Sequence, residues 1–142
     1  GNFIYISQVL SLILAETYHR EKVNATLEQN KHVTNVIRYM SKHLAENLTL
    51  EDIVAEFDLS KSYLNAIFQK YTQHAPMDFY INLKMKKACR LLRVTDSYVY
   101  EVAQQLGYSH QYYFSRIFKK VVGMSPKEYK RSDSIHFKGV EL

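Results

Sequence analysis

Residues 102 to 120 read Val102-Ala103-Gln104-Gln105-Leu106-Gly107-Tyr108-Ser109-His110-Gln111-Tyr112-Tyr113-Phe114-Ser115-Arg116-Ile117-Phe118-Lys119-Lys120. Val99, Val102, Ala103 and Leu106 recur at helical spacing, and so, after a gap, do Tyr113, Phe114, Ile117 and Phe118. Apolar residues three and four apart line one face of an α-helix. Between the two runs stands Gly107, which takes positive φ at no steric cost and so suits a tight turn. The stretch predicts two short helices joined by a turn, the second helix over about 109–121, with Tyr113, Phe114, Ile117 and Phe118 facing inward.

The same plan occurs earlier in the chain. Leu50, Ile53, Val54, Phe57, Asp58, Leu59 and Ser60 match Val99, Val102, Ala103, Leu106, Gly107, Tyr108 and Ser109 at an offset of 49. One residue is then inserted, and Tyr63, Leu64, Ile67, Phe68, Lys70, Pro76 and Phe79 match Tyr113, Phe114, Ile117, Phe118, Lys120, Pro126 and Tyr129 at an offset of 50. Asp58 stands where the later copy has Gly107, and Asp is among the few other residues that tolerate left-handed backbone. Thr49 and Asp52 have capping-box spacing for the first short helix, and Ser60 is a good N-cap for a second over about 60–71. The chain is therefore read as an internal duplication of a helix-turn-helix unit.

Around these units the reading is helical as well. Four Gly and two Pro leave long uninterrupted runs, and strand-like alternation with turn pairs is missing, which predicts an all-α protein. A long linker helix over 76–93 opens at Pro76 and joins the units. At about 1.5 Å per residue it spans about 26 Å, a brace for two reading helices about 34 Å apart, one DNA turn. Ser125, Pro126 and Glu128 suit the start of a last helix, with Glu128 expected to close a capping box. Val33, Val36, Ile37, Met40 and Leu44 mark a helix from His32, and Phe3, Ile6, Leu10, Ile13 and Leu14 an extra N-terminal one. Residues 24–31 read as linker or helix continuation. The expected division is 1–31 as helix and linker left from an upstream domain, 32–131 as the double helix-turn-helix domain, and 132–142 as a loose tail. Gly1, with no initiator Met, reads as a tag remnant on a chain that begins partway into a longer protein.

Charge is unevenly distributed. The whole chain carries +5, but residues 1–60 hold 5 Lys/Arg against 8 Asp/Glu, whereas residues 61–131 hold 13 against 4. A basic half of this kind has nucleic acid as its commonest polyanionic partner. Other classes fare worse. Six scattered His, no HExxH, no Gly-rich phosphate loop and no nucleophile elbow argue against an enzyme, and the single Cys89 lacks an evident base. One cysteine forms no intrachain disulfide, which suits a reducing cytoplasm. The apolar run at residues 3–14 is too short and too interrupted to span a membrane. A helical module that binds protein rather than DNA is the rival reading, and it predicts binding insensitive to salt.

In a helix-turn-helix the second helix enters the major groove, so its outward residues should be donors, acceptors or cations. In the first unit these are Lys61, Ser62, Asn65, Ala66 and Gln69, with Asn65 able to pair bidentately with adenine and Lys61 or Lys70 to meet phosphate. In the second they are His110, Gln111, Tyr112, Ser115, Arg116 and Lys119. Arg116 is the best guanine reader, Gln111 suits adenine, and Lys119 with Lys120 extends a cationic edge toward the backbone. Lys84, Lys86, Lys87, Arg90 and Arg93 on the linker helix face either DNA or solvent.

Over about residues 33–131 the chain resembles the AraC/XylS family of bacterial transcription regulators. The resemblance is carried by residues 102–120 as quoted and by Gly123-Met124-Ser125-Pro126-Lys127-Glu128-Tyr129, which look like the family's second helix-turn-helix and last helix. It implies a seven-helix module with two helix-turn-helix units, and reading positions at Ser62, Asn65, Ala66 and Gln69 and at Gln111, Tyr112 and Arg116. Departures from the usual pattern are Val54 for Ala, Asp58 for Gly, Lys84 for Arg and Tyr112 for Ser. Ala66 is short for a reading position, so the first unit is expected to carry less sequence information. The resemblance further implies promoter DNA and RNA polymerase as partners, no cofactor or metal, and a nucleoid-associated cytoplasmic location. An upstream sensor domain, whose last helix residues 3–22 resemble, would dimerise and bind a small-molecule effector.

Overall fold

The computed structural model describes the backbone of residues 2–132 and the side chains of residues 6–132. Seven helices follow in order: α1 (Asn2–Lys42), α2 (Leu50–Phe57), α3 (Lys61–Thr72), α4 (Pro76–Val94), α5 (Val99–Gln105), α6 (Gln111–Val122) and α7 (Pro126–Arg131). No strand occurs among the described residues. The expected N-terminal helix and the helix from His32 run together as α1, because neither Gly nor Pro interrupts residues 2–42. Residues 24–31 are helix continuation, and two of them already touch α3: the Tyr71 hydroxyl lies 3.3 Å from both the Thr26 carbonyl and Gln29 Oε1. The tail beyond Ser132 lies outside the described residues.

The turns explain why the helices stop where they do. Thr49 and Asp52 form the expected reciprocal box, at 3.1 Å and 2.9 Å. Ser60 accepts from the Tyr63 N–H, and Ser125 from the Glu128 N–H. The Glu128 carboxylate does not complete a second box, so that expectation holds only by half. Positive φ falls at Asp58 and Gly107, an offset of 49, and at Gln73 and Gly123, an offset of 50. The inserted residue therefore lies in the second unit's turn. It leaves His110, which makes no side-chain capping bond, at the N-cap of α6 where Ser60 caps α3.

Two hydrophobic cores result, one per unit. The first gathers Val33, Val36 and Met40 of α1 with Ile53, Leu64, Ile67, Phe68, Phe79 and Tyr80. The second gathers Met85, Ala88, Cys89 and Leu92 of α4 with Val102, Ala103, Leu106, Phe114, Phe118, Val122 and Tyr129. Duplication extends to ring geometry. Phe68 meets Phe79 edge to face at 5.7 Å and 79°, and their equivalents Phe118 and Tyr129 meet at 5.6 Å and 74°. Edge-to-face contact suits the ring quadrupoles and adds to burial.

Helix α4 serves both cores, its first half through Phe79 and Tyr80 and its second through Met85 to Leu92. Lys84 lies between them, and only 2% of it is exposed. It faces neither DNA nor solvent, in contrast to both sequence-based alternatives. Its ammonium donates to the carbonyls of Glu46 at 2.5 Å and Leu106 at 2.8 Å, and sits 4.8 Å and 5.1 Å from the ring centroids of Tyr80 and Tyr108. Beside it the Tyr80 hydroxyl lies 2.5 Å from the carbonyl of His43 and 2.7 Å from that of Glu46, and the Asn47 amide donates to the Gly107 carbonyl at 2.9 Å. The segment entering the first unit is thus fastened to the turn of the second.

Gly107 lies in this contact. A Cβ there would come 2.8 Å from the Ala45 carbonyl oxygen, whereas a Cβ on Gly123 would meet nothing within 4 Å. Both have positive φ, which costs a non-glycine residue about 1–2 kcal/mol. Gly123→Ala should therefore show the backbone cost alone. Gly107→Ala should lose a further amount of roughly 1–3 kcal/mol through overpacking against backbone. Urea midpoints at unchanged m measure the difference, and equal losses would refute the close approach.

Burial also gives stability a pH dependence. Desolvation lowers Lys84 from 10.5 to about 8, so between those values the unfolded chain holds a proton that the folded chain has lost. The stability contribution of Lys84 is therefore least favourable below about pH 8 and rises through that window. Burial raises Tyr108 from 10.0 to about 12, so above pH 10 the folded chain holds a proton the unfolded one loses, and stability falls. The melting temperature is expected to climb above pH 8 through Lys84, to flatten as the unfolded Cys89 thiol, raised by burial from 9.0 in the fold, ionises, and to turn down above pH 10. Lys84→Met should abolish the climb.

Candidate nucleic-acid interface

The apolar face of α3 closes the first core with Leu64, Ile67 and Phe68, and that of α6 closes the second with Phe114, Phe118 and Val122. What remains outward on α3 is Lys61, Ser62, Asn65, Ala66 and Gln69, all exposed. On α6 and its N-cap, His110, Gln111, Tyr112, Arg116, Lys119 and Lys120 are exposed and Ser115 is half-buried. Every candidate reading residue is thus on the surface of one of two equivalent helices. Neither helix contains an Asp or Glu. The acidic groups of the two units lie on the supporting helices, as Glu51, Asp52 and Glu56 on α2 and Glu101 on α5, and in the first turn, as Asp58.

Several positions differ from expectation. Tyr113, expected inward, is 60% exposed and lies over the edge of the buried Tyr108, with ring centroids 6.0 Å apart. Ile117 is only half-buried. Lys70, considered for phosphate contact, points back to α1, where its ammonium donates to Gln29 Oε1 at 3.1 Å and lies 5.2 Å from the Tyr71 ring. Of the linker-helix cations, Lys84 is buried and Lys86, Lys87 and Arg90 line a shallow groove with Ser41, Leu44 and Leu83. Arg93 stacks 4.8 Å from the Tyr129 ring centroid.

Local pairing tunes the outward set. Lys61 donates to Glu51 at 2.5 Å, and that bond holds the Glu51 carboxyl below its ordinary range. Lys61 is therefore partly neutralised on the free surface. On α6 the Arg116 guanidinium lies 5.9 Å from the ring of Tyr112, itself 75% exposed. Tyr112 thus shelves the arginine while leaving its donors outward, a use of the ring that its position alone could not reveal. A second group outside the expected set is the exposed stacked pair Tyr98 and Tyr100, which shares a groove with Gln111, Lys127, Lys130 and Arg131. Two tyrosines spaced at i and i+2 carry no helical-face signal, so periodicity passes over them.

Among the described residues no cluster of three or more His, Cys, Asp or Glu could hold a metal ion. None of their helices is long and apolar enough to cross a membrane. Two equivalent helices, each backed by its own core, free of acid and lined with amide, hydroxyl and cationic groups, define a DNA-binding protein of the helix-turn-helix class.

Comparison with known proteins places it more closely. A family model described as a helix-turn-helix domain matches residues 53–132. The chain is 40% identical over 93 residues to the MmsAB operon regulatory protein of Pseudomonas aeruginosa, an alignment covering 66% of this chain and 30% of that protein. It is 25% identical over 122 residues to the raffinose operon transcriptional regulatory protein RafR of Pediococcus pentosaceus, covering 86% and 44%. Among solved structures, the C-terminal domain of AraT, a response regulator from Geobacillus stearothermophilus, superposes with a TM-score of 0.69 at 31% identity, covering 75% of this chain and 89% of that one. The DNA-binding domain of the global transcriptional factor AdpA, solved with a target DNA, gives 0.64 at 28% identity, covering 68% and 87%. The chain belongs to the AraC-type helix-turn-helix family, whose members are DNA-binding transcription regulators and not enzymes. It spans less than half the length of the two curated relatives named.

Proposed function

We propose that α3 and α6 enter adjacent major-groove segments on one face of promoter DNA. Lys61, Ser62, Asn65 and Gln69 act from the first helix, and His110, Gln111, Tyr112, Ser115, Arg116, Lys119 and Lys120 from the second. The observation that carries this reading is the acid-free outward edge repeated on two equivalent helices. Arg116, shelved on Tyr112, has the planar donor fork that suits guanine O6 and N7, and Asn65 and Gln111 suit adenine. Lys119 and Lys120, in the last turn of α6, supply backbone charge. The second unit gives more of the specificity, since the first has the short Ala66 at a reading position and Lys61 engaged with Glu51.

Beyond the DNA interface, the same proposal covers the rest of the protein. The operon regulators it resembles are more than twice as long as the aligned stretch, and residues 1–31 are read as the end of an upstream sensor and dimerisation domain. A small-molecule effector would bind that domain. RNA polymerase is the expected further partner, and the bacterial cytoplasm, on the nucleoid, the expected place.

Selection from a random double-stranded pool tests the reading. Wild type should enrich a site with two neighbouring major-groove segments. Arg116→Ala should relax one base position at a cost of roughly 1–3 kcal/mol. A salt titration separates the charges: Lys119→Ala should weaken binding on all sequences and reduce the salt slope by about 1. Glu51→Gln should act the other way, releasing Lys61 and steepening the slope. Binding indifferent to both salt and sequence would favour the protein-interaction module instead.

A further inference from the structure

We infer that Lys84 is a specificity-determining positioning residue: by tying the entry segment of the first unit to the turn of the second, it sets the spacing between the two DNA segments the protein reads. The inference rests on the two-helix reading just given. Its basis is the arrangement of acceptors. One is the carbonyl of Glu46, between α1 and α2, and the other is that of Leu106, which caps α5 just before the second unit's turn. The two lie 60 residues apart in sequence and in different units. A single ammonium bonded to both fixes their separation directly, not only through α4.

Sharing α4 leaves the orientation of the units weakly specified by apolar packing, because their buried cores form two clusters along it that meet only through the half-buried Leu44, packed against both. Lys84 occupies the gap between these clusters. Turning the second unit about the axis of α4 would break at least one of two charge-assisted bonds in a site with almost no water access. It would also pull Gly107 from the Asn47 amide and from the backbone of Ala45. The tyrosine rings on either side, Tyr80 from the first core and Tyr108 from the second, close the site and stabilise the cation. None of these groups is among the proposed DNA contacts. Their effect on recognition is therefore geometric, and it appears in spacing and not in base preference.

Duplexes carrying the two selected segments with base pairs inserted or removed between them provide the test. Wild type should lose about tenfold in affinity for a change of one base pair, since the reading helices then leave register or the DNA must deform. Lys84→Met, similar in length but without donors, should flatten that dependence to within about threefold while each segment keeps its preferred bases. Lys84→Arg, which keeps the donors, should restore the wild-type profile. A folded Lys84→Met protein with an unchanged spacing profile would overturn the proposal. If Lys84→Met does not fold, Asn47→Ala, which removes only the exposed bond to Gly107, should show the same flattening in smaller degree, and a wild-type profile there would also overturn it.

A measurement without DNA separates failure of this inference from failure of the DNA reading. Spin labels on cysteines introduced at the exposed positions Glu56 and Gln104 report the distance between α2 and α5, and Cys89 is buried away from the reagent. Wild type should give one narrow distance distribution, Lys84→Met a broad one and Lys84→Arg a narrow one again. Equal widths in all three would sink the idea whatever the protein binds.

Discussion

Two helical units, each with its own core, are held at one orientation by an ammonium group kept almost free of water. Desolvating such a charge is costly, and the cost is visible in the lowered affinity of Lys84 for its proton. Two backbone carbonyls and two tyrosine faces, none of which is itself charged, offset only part of it. Both carbonyls belong to residues where a helix has ended and where no intrahelical N–H is left to satisfy them. One side chain thus meets two helix-end carbonyls, sharing that of Glu46 with the Tyr80 hydroxyl, and joins two units. A larger shared apolar core would bury more surface, but it would not specify orientation as narrowly as directional bonds do.

Within each unit the physics is repeated with small changes. Ile53 and Val102, Leu64 and Phe114, and Phe68 and Phe118 are fully buried equivalents, and the two Pro-initiated helices place Phe79 and Tyr129 against the last of these. The differences lie in the turns. A Ser cap and an Asp in left-handed backbone serve the first turn; a Gly and one extra residue serve the second. Before that extra residue the two turns match, Leu59 and Tyr108 each donating a backbone N–H five residues back at 3.0 Å, and in the second unit the larger Tyr108 ring reaches the joint beside Lys84.

Helix α1 joins two environments. From Val33 to Met40 it closes the first core, while at Ile6, Leu10, Ile13 and Leu14 more than half of each side chain is exposed. The boundary between these regimes is gradual. Thr26, Gln29 and His32 all bond to α3, His32 Nδ1 lying 2.9 Å from the Tyr63 hydroxyl. Any movement upstream along this helix is thus mechanically connected to the back of the first reading helix.

Helical class, the duplication, the caps at Thr49, Ser60 and Ser125, the positive φ of Asp58 and Gly107 and the outward residues of α3 and α6 other than Tyr113 were determined by the sequence alone. Each rests on interactions within a few residues, which leave periodicity and turn chemistry in the chain. Tertiary structure decided the rest. A lysine on an amphipathic helix has the same local pattern whether it meets water, phosphate or a carbonyl of a distant loop, so the burial of Lys84 had no local sign. Lys70 turned back to Gln29 and Tyr113 came out over Tyr108 for the same reason, since their partners lie on other elements. The continuity of α1 was permitted by its composition, but only contact with α3 decided where its packed part begins. Local pattern shows which residues can face outward; which cations remain free to meet DNA depends on long-range partners.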